Sequence, residues 1–105
     1  MNNIFSINQD LDFKNELFFE LFKNDNCLIE KIVSSGQSTN ENEWLEEDSN
    51  EFVILLQGES ELKFETGEKI VLKKGDYLLI PAKTKHRVNY TSLNPQCIWL
   101  AIHIK

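Results

Sequence analysis

From Cys27 onward the apolar residues of this chain fall in short runs or at alternate positions, whereas before it they recur at spacings of three and four. The early segment "DFKNELFFELFKN" puts Phe13, Leu17, Phe18, Leu21 and Phe22 on one stripe, which predicts a short helix, with Asp12 placed to cap its start. The polar side of that stripe mixes acids with few bases. Docking on the protein's own core is therefore expected, rather than on a membrane surface.

The later segments read as strands. "CLIEKIVSS" is β-branched and apolar and ends near Gly36; a polar, acidic stretch from Gln37 to Asn50 follows, interrupted by Trp44 and Leu45. "EFVILLQ" is apolar on both faces, as a strand covered on both sides is. "ELKFE" and "KIVLK" flank Thr66-Gly67-Glu68 and predict a hairpin. "YLLI" is a further short strand, stopped by Pro81, which cannot donate to a ladder. In "KHRVNYT" the residues Lys85, Arg87, Asn89 and Thr91 share one face, and His86, Val88 and Tyr90 share the other. "CIWLAIHIK" closes the chain, with Ile98, Leu100, Ile102 and Ile104 in one aliphatic row and Trp99, Ala101 and His103 opposite. Short strands with frequent turn signals predict an all-β sandwich or barrel. The expected organisation is an N-terminal segment, residues 1–26, whose short helix packs on a β domain of residues 27–105.

At 105 residues the chain is one domain, and its 41% hydrophobic and 27% charged residues are ordinary for a folded protein. A net charge of −6 argues against non-specific nucleic-acid binding. The one basic cluster, Lys83, Lys85 and Arg87, is expected to be a solvated face. No run approaches the ~20 apolar residues that cross a bilayer, and "MNNIFSINQD" is no secretory signal, so the expected location is cytoplasmic. Cys27 and Cys97 fit neither a redox motif nor a zinc pair and are expected as free thiols. There is no phosphate-binding glycine motif, serine-centred elbow or calcium loop.

What chemistry there is centres on two residues. His86 has the parity of Val88, toward the interior. Glu51 opens "EFVILLQ" on the face of Val53 and Leu55, where a carboxylate is paired, neutralised or metal-bound if it is covered, and solvated if it sits at the rim.

The spacings Glu51-x6-Gly58, Gly75-x5-Pro81 and Pro81-x4-His86 resemble the two signature motifs of the cupins, small β-barrels of jelly-roll type. The likeness spans roughly residues 28 to 104 and extends to the layout of small single-domain bacterial cupins with a short N-terminal helix. Lys83 stands where that family usually has glycine, and Tyr90 where asparagine is usual. The two histidines that precede the glutamate in the first motif are missing; Leu45 and Glu47, or Trp44 and Glu46, hold their places.

The resemblance implies a single-domain cupin jelly-roll barrel. It implies that Glu51 and His86 point into the barrel toward one divalent metal, Fe, Mn, Ni or Zn, with Glu47 standing in for the missing second histidine; His103, on the face of Trp99 and Ala101, is a further candidate ligand. Without a third donor in reach, Glu51 and His86 hydrogen-bond to each other and no ion is needed. Trp44, Tyr90 and Trp99 are the expected pocket lining. The leading expectation is a small molecule bound in the barrel, possible partners being that ligand and a second copy docked on the aliphatic row of the last strand. The alternatives are a metal-dependent oxygenase or isomerase, acid–base catalysis by His86 and Glu51, or a regulatory module without chemistry.

Overall fold

A computed structural model describes all 105 residues and contains strands only. The eight strands are β1 (Leu17–Lys23), β2 (Cys27–Ser34), β3 (Asn50–Gln57), β4 (Ser60–Phe64), β5 (Lys69–Leu72), β6 (Tyr77–Ile80), β7 (His86–Thr91) and β8 (Cys97–Ile104). They form two sheets, in the orders β1-β2-β8-β3-β6 and β5-β4-β7. The molecule is thus all-β, and it is a two-sheet sandwich rather than the closed barrel expected. All six strand pairs are antiparallel and none runs from one sheet to the other.

The predicted helix does not exist. Its second half is β1, the edge strand beside β2, with Leu17 opposite Val33 and Phe18 opposite Ile32. The reason is a β-bulge: the register shifts between Glu20 and Phe22, leaving Leu21 as the extra residue. Leu17, Phe19, Leu21 and Phe22 then belong to the outer side while Phe18 faces inward, and this broken alternation imitates a helical stripe. Seven residues rich in aromatics are also better suited to a strand than to a helix. Asp12 does accept the Lys14 amide at 2.9 Å, but it caps a turn. The segment expected to lie on the β domain therefore supplies a strand of it. Residues Met1 to Leu11 run over the outer side of β1 and β2, where the buried Lys31 donates to the Ser6 carbonyl at 2.6 Å.

The other seven strands lie where the alternation placed them. The core between the sheets is built from Val53, Leu55, Leu62, Leu72, Ile80, Cys97, Trp99 and Ala101. The aliphatic row of β8 faces outward, between Ile29 and Lys31 of β2 and Phe52 and Ile54 of β3. Both cysteines are free.

A second bulge corrects the pocket lining. In the β4·β7 ladder Glu61 is opposite Tyr90 but Leu62 is opposite Val88, so Asn89 is the extra residue and the parity of β7 changes there. Thr91 turns inward and is buried, while Tyr90 turns out and is 50% exposed. Lys83 and Lys85 are exposed, and Arg87 donates to Asn89 Oδ1 and the Thr39 carbonyl.

The free edge of β7 is covered by the long acidic loop. Thr39 N donates to Val88 O at 2.8 Å, Leu45 and His86 exchange both backbone bonds (2.7 and 3.0 Å), and Lys83 N donates to Glu47 O at 2.7 Å. That pairing places Leu45 and Glu47 at the rim of the space between the sheets, both still exposed, and leaves Trp44 off that lining. Lys83, at φ 63°, holds the left-handed conformation that explains why a glycine suits its position.

Candidate functional site

Between the sheets lies a cavity of about 200 Å³, walled by apolar side chains including Ile32, Leu45, Val53 and Trp99. Its polar lining is Glu16, Glu30, Glu47, Glu51, His86 and His103. Four residues expected at the site, Glu47, Glu51, His86 and His103, thus border one space, together with Trp99. Trp44 and Tyr90 do not, for the reasons of parity given above.

His103 is the hub. On β8 it is the direct partner of Glu51 on β3, and Glu30 on β2 lies one diagonal away, opposite Ala101. Cross-strand neighbours on one face stand within side-chain reach. Accordingly, His103 Nε2 is 2.9 Å from Glu30 Oε1 and His103 Nδ1 is 3.4 Å from Glu51 Oε2, with all three side chains 14–15% exposed. A neutral imidazole donates from one nitrogen only. Either the ring is an imidazolium between two carboxylates, or Glu51 keeps a proton and donates it to Nδ1 while Nε2–H donates to Glu30. Both descriptions hold the same number of protons. Burial pushes the Glu51 carboxyl above the usual carboxylate range; His103 and His86 pull it back, and Glu47 and Glu30 push it further up.

His86 is 5% exposed. Its Nδ1 lies 2.9 Å from the Thr84 carbonyl, which only accepts, so Nδ1 carries a proton and Nε2 has no hydrogen-bond partner in the protein. Trp99 Nε1–H donates to Ser34 Oγ at 3.2 Å, and Ser34 Oγ–H donates to Glu16 Oε2 at 2.5 Å.

Glu16 and Glu30 were missed in the sequence. Glu16 was read into the helix. Glu30 carried the same signal as Glu51, a carboxylate alternating with Leu28 and Ile32 in an apolar run.

A divalent metal does not fit these donors as they stand. No three or more His, Cys, Asp or Glu side chains are grouped so as to hold an ion. Both His103 nitrogens are taken by carboxylates, so ligation through that ring requires breaking one of those bonds.

The sequence profile of the cupin domain matches residues 31–103. The uncharacterized protein YdbB of Bacillus subtilis is 36% identical over 88 residues, 83% of this chain and 74% of that protein. Among solved structures, a Ralstonia eutropha protein provisionally named a mannose-6-phosphate isomerase superposes with a TM-score of 0.90 at 29% identity, covering 100% of this chain and 97% of that one. A cupin superfamily protein from Desulfitobacterium hafniense gives 0.75 at 23%, over 90% and 81% of the two chains. The polyketide cyclase RemF of Streptomyces resistomycificus gives 0.71 at 16%, over 87% and 66%. The last two likenesses show the fold alone. With the profile spanning most of the strands and the cavity between them, the chain belongs to the cupin family.

Proposed function

We propose that this cupin binds a small molecule inside its sandwich, with the Glu30–His103–Glu51 trio and His86 as its polar contacts. The observation that carries the reading is the trio itself. Two carboxylates and an imidazole are held largely out of water beside a space with apolar walls, an arrangement that costs stability and suits a ligand site. Thermal melts against a panel of small molecules test it. A ligand at 100 times its Kd adds about 2.7 kcal/mol, which raises the Tm of a domain this size by roughly 10–20 °C. Ile32→Phe, which fills the cavity from its wall, is expected to remove that rise. A rise retained in Ile32→Phe places the ligand elsewhere and overturns the proposal.

A catalytic reading has one observation in its favour: a carboxyl that burial holds above the usual carboxylate range lies beside an imidazole, the makings of an acid–base pair. The Ralstonia protein's provisional name suggests sugar-phosphate isomerisation as the reaction to try. Turnover of mannose 6-phosphate, abolished by Glu51→Gln, would replace simple binding by catalysis.

The outer face of the larger sheet offers a second contact. Ile29, Phe52, Ile54, Tyr77, Leu79 and Ile102 form an uncharged surface on which Tyr77 and Leu79 are over half exposed. A second copy meeting it across a two-fold axis covers both faces at once. Sedimentation velocity at micromolar concentration is expected to show a dimer that Leu79→Glu dissociates; a monomeric wild type contradicts this.

A further inference from the structure

The cavity's hydrogen-bonding groups differ sharply in kind. Every donor in its wall is already engaged: Trp99 Nε1–H on Ser34, Ser34 Oγ–H on Glu16, His86 Nδ1–H on Thr84, and His103 between Glu30 and Glu51. What remains to meet a ligand are carboxylate oxygens of Glu16, Glu30, Glu47 and Glu51, and Nε2 of His86. The carboxylate oxygens accept. His86 is an independent sign of a ligand, because its side chain is 5% exposed and its Nε2 has no partner in the protein. No lysine or arginine lines the cavity. Lys23 and Lys105 border a separate outer groove, which shares Glu30, Glu47 and His103 with the cavity.

A phosphorylated or carboxylated ligand would bring further acceptors and negative charge to a wall of acceptors. A neutral alcohol can satisfy one of them. An ammonium group has three donors, no acceptor and the complementary charge. The volume of about 200 Å³ holds about seven non-hydrogen atoms at the packing of liquid water. Building on the reading of this cavity as a ligand site, we propose that its ligand is a small organic cation, a protonated amine on a compact apolar body. The ammonium sits against the carboxylates, and the body lies along Val53, Ile80 and Trp99.

Calorimetry on the full chain at pH 7.5 compares four probes: benzylamine, benzyl alcohol, benzoate and mannose 6-phosphate. Benzylamine is expected to bind about tenfold more tightly than benzyl alcohol, and both anions more weakly than the alcohol. Glu47→Gln and Glu51→Gln are each expected to weaken the amine several-fold more than the alcohol, with circular dichroism and a thermal melt reporting that each variant is folded. Alcohol or benzoate bound as tightly as the amine overturns the cation assignment and leaves the cavity a ligand site. Amine binding that needs added Zn²⁺ or Mn²⁺ gives the carboxylates to a metal and overturns it as well. Failure of all four probes, in wild type and Ile32→Phe alike, overturns this inference and the reading beneath it.

Discussion

His103→Ala is expected to destabilise the protein by about 2–4 kcal/mol at pH 7.5, a loss that shrinks toward pH 4. The imidazole stands between Glu30 Oε1 and Glu51 Oε2, and deleting it leaves two largely covered carboxylates facing one gap. Removing one member of a buried charged pair costs about 3–5 kcal/mol, and the partial exposure of these groups lowers that figure. The sign of the pH dependence follows from Glu51, which burial already holds above its ordinary pKa of 4.5. A carboxyl with a raised folded pKa contributes its full stability below the unfolded value and loses it as pH rises through the folded one. Loss of His103 removes a cation that lowers this pKa, so the penalty grows between pH 4.5 and neutrality. Urea denaturation at several pH values reads it. A penalty independent of pH would mean that His103 acts through packing alone.

The same physics separates function from architecture. Replacing the whole trio by Glu30→Met, His103→Leu and Glu51→Met is expected to restore most of that stability, since well-packed apolar groups commonly match or exceed buried ion pairs. A trio dispensable for folding is one retained for another purpose. A triple variant as unstable as His103→Ala would make it a structural staple.

The second large effect is at Gly58, in the turn that carries the chain from β3 in one sheet to β4 in the other. Its φ is +91°, and an added Cβ would lie 2.7 Å from Ser92 Oγ, 2.8 Å from Cys97 Sγ and 3.0 Å from Cys97 Cα. The left-handed backbone costs a side chain about 1–2 kcal/mol, and crowding of a packed site costs about 1–3 more. Gly58→Ala is therefore expected to lose about 2–5 kcal/mol. Gly67 is the control: its φ is +97° but nothing lies within 4 Å, so Gly67→Ala pays the backbone term alone. Equal losses in the two variants would remove the packing explanation. The glycine that closes the first cupin-like spacing is thus required by the approach of β8 and the Ser92 hydroxyl.

Both misplaced elements trace to the same cause. Alternation placed seven strands because a half-buried strand writes its two faces directly into the sequence. It failed in β1 and at the end of β7 because each contains a bulge, and one extra residue reverses every side chain beyond it. Leu21 thereby imitated a helix, and Asn89 sent Tyr90 into solvent. Trp44 was assigned inward because its loop had no readable register; pairing of Leu45 with His86 fixes that register from a strand forty residues away. Glu51 and His103 were legible as candidates, but their meeting was not, because the β3·β8 ladder joins residues half the chain apart. Glu30 had the right parity, alternating with Leu28 and Ile32.

The chain has only two histidines, so the imidazole nitrogens of ¹⁵N-histidine-labelled protein can be followed without ambiguity. At pH 7.5 the Nε2 resonance of His86 is expected to move when benzylamine is added, while Nδ1 keeps its bond to the Thr84 carbonyl. Two rings that saturating benzylamine leaves unmoved would contradict the proposed site.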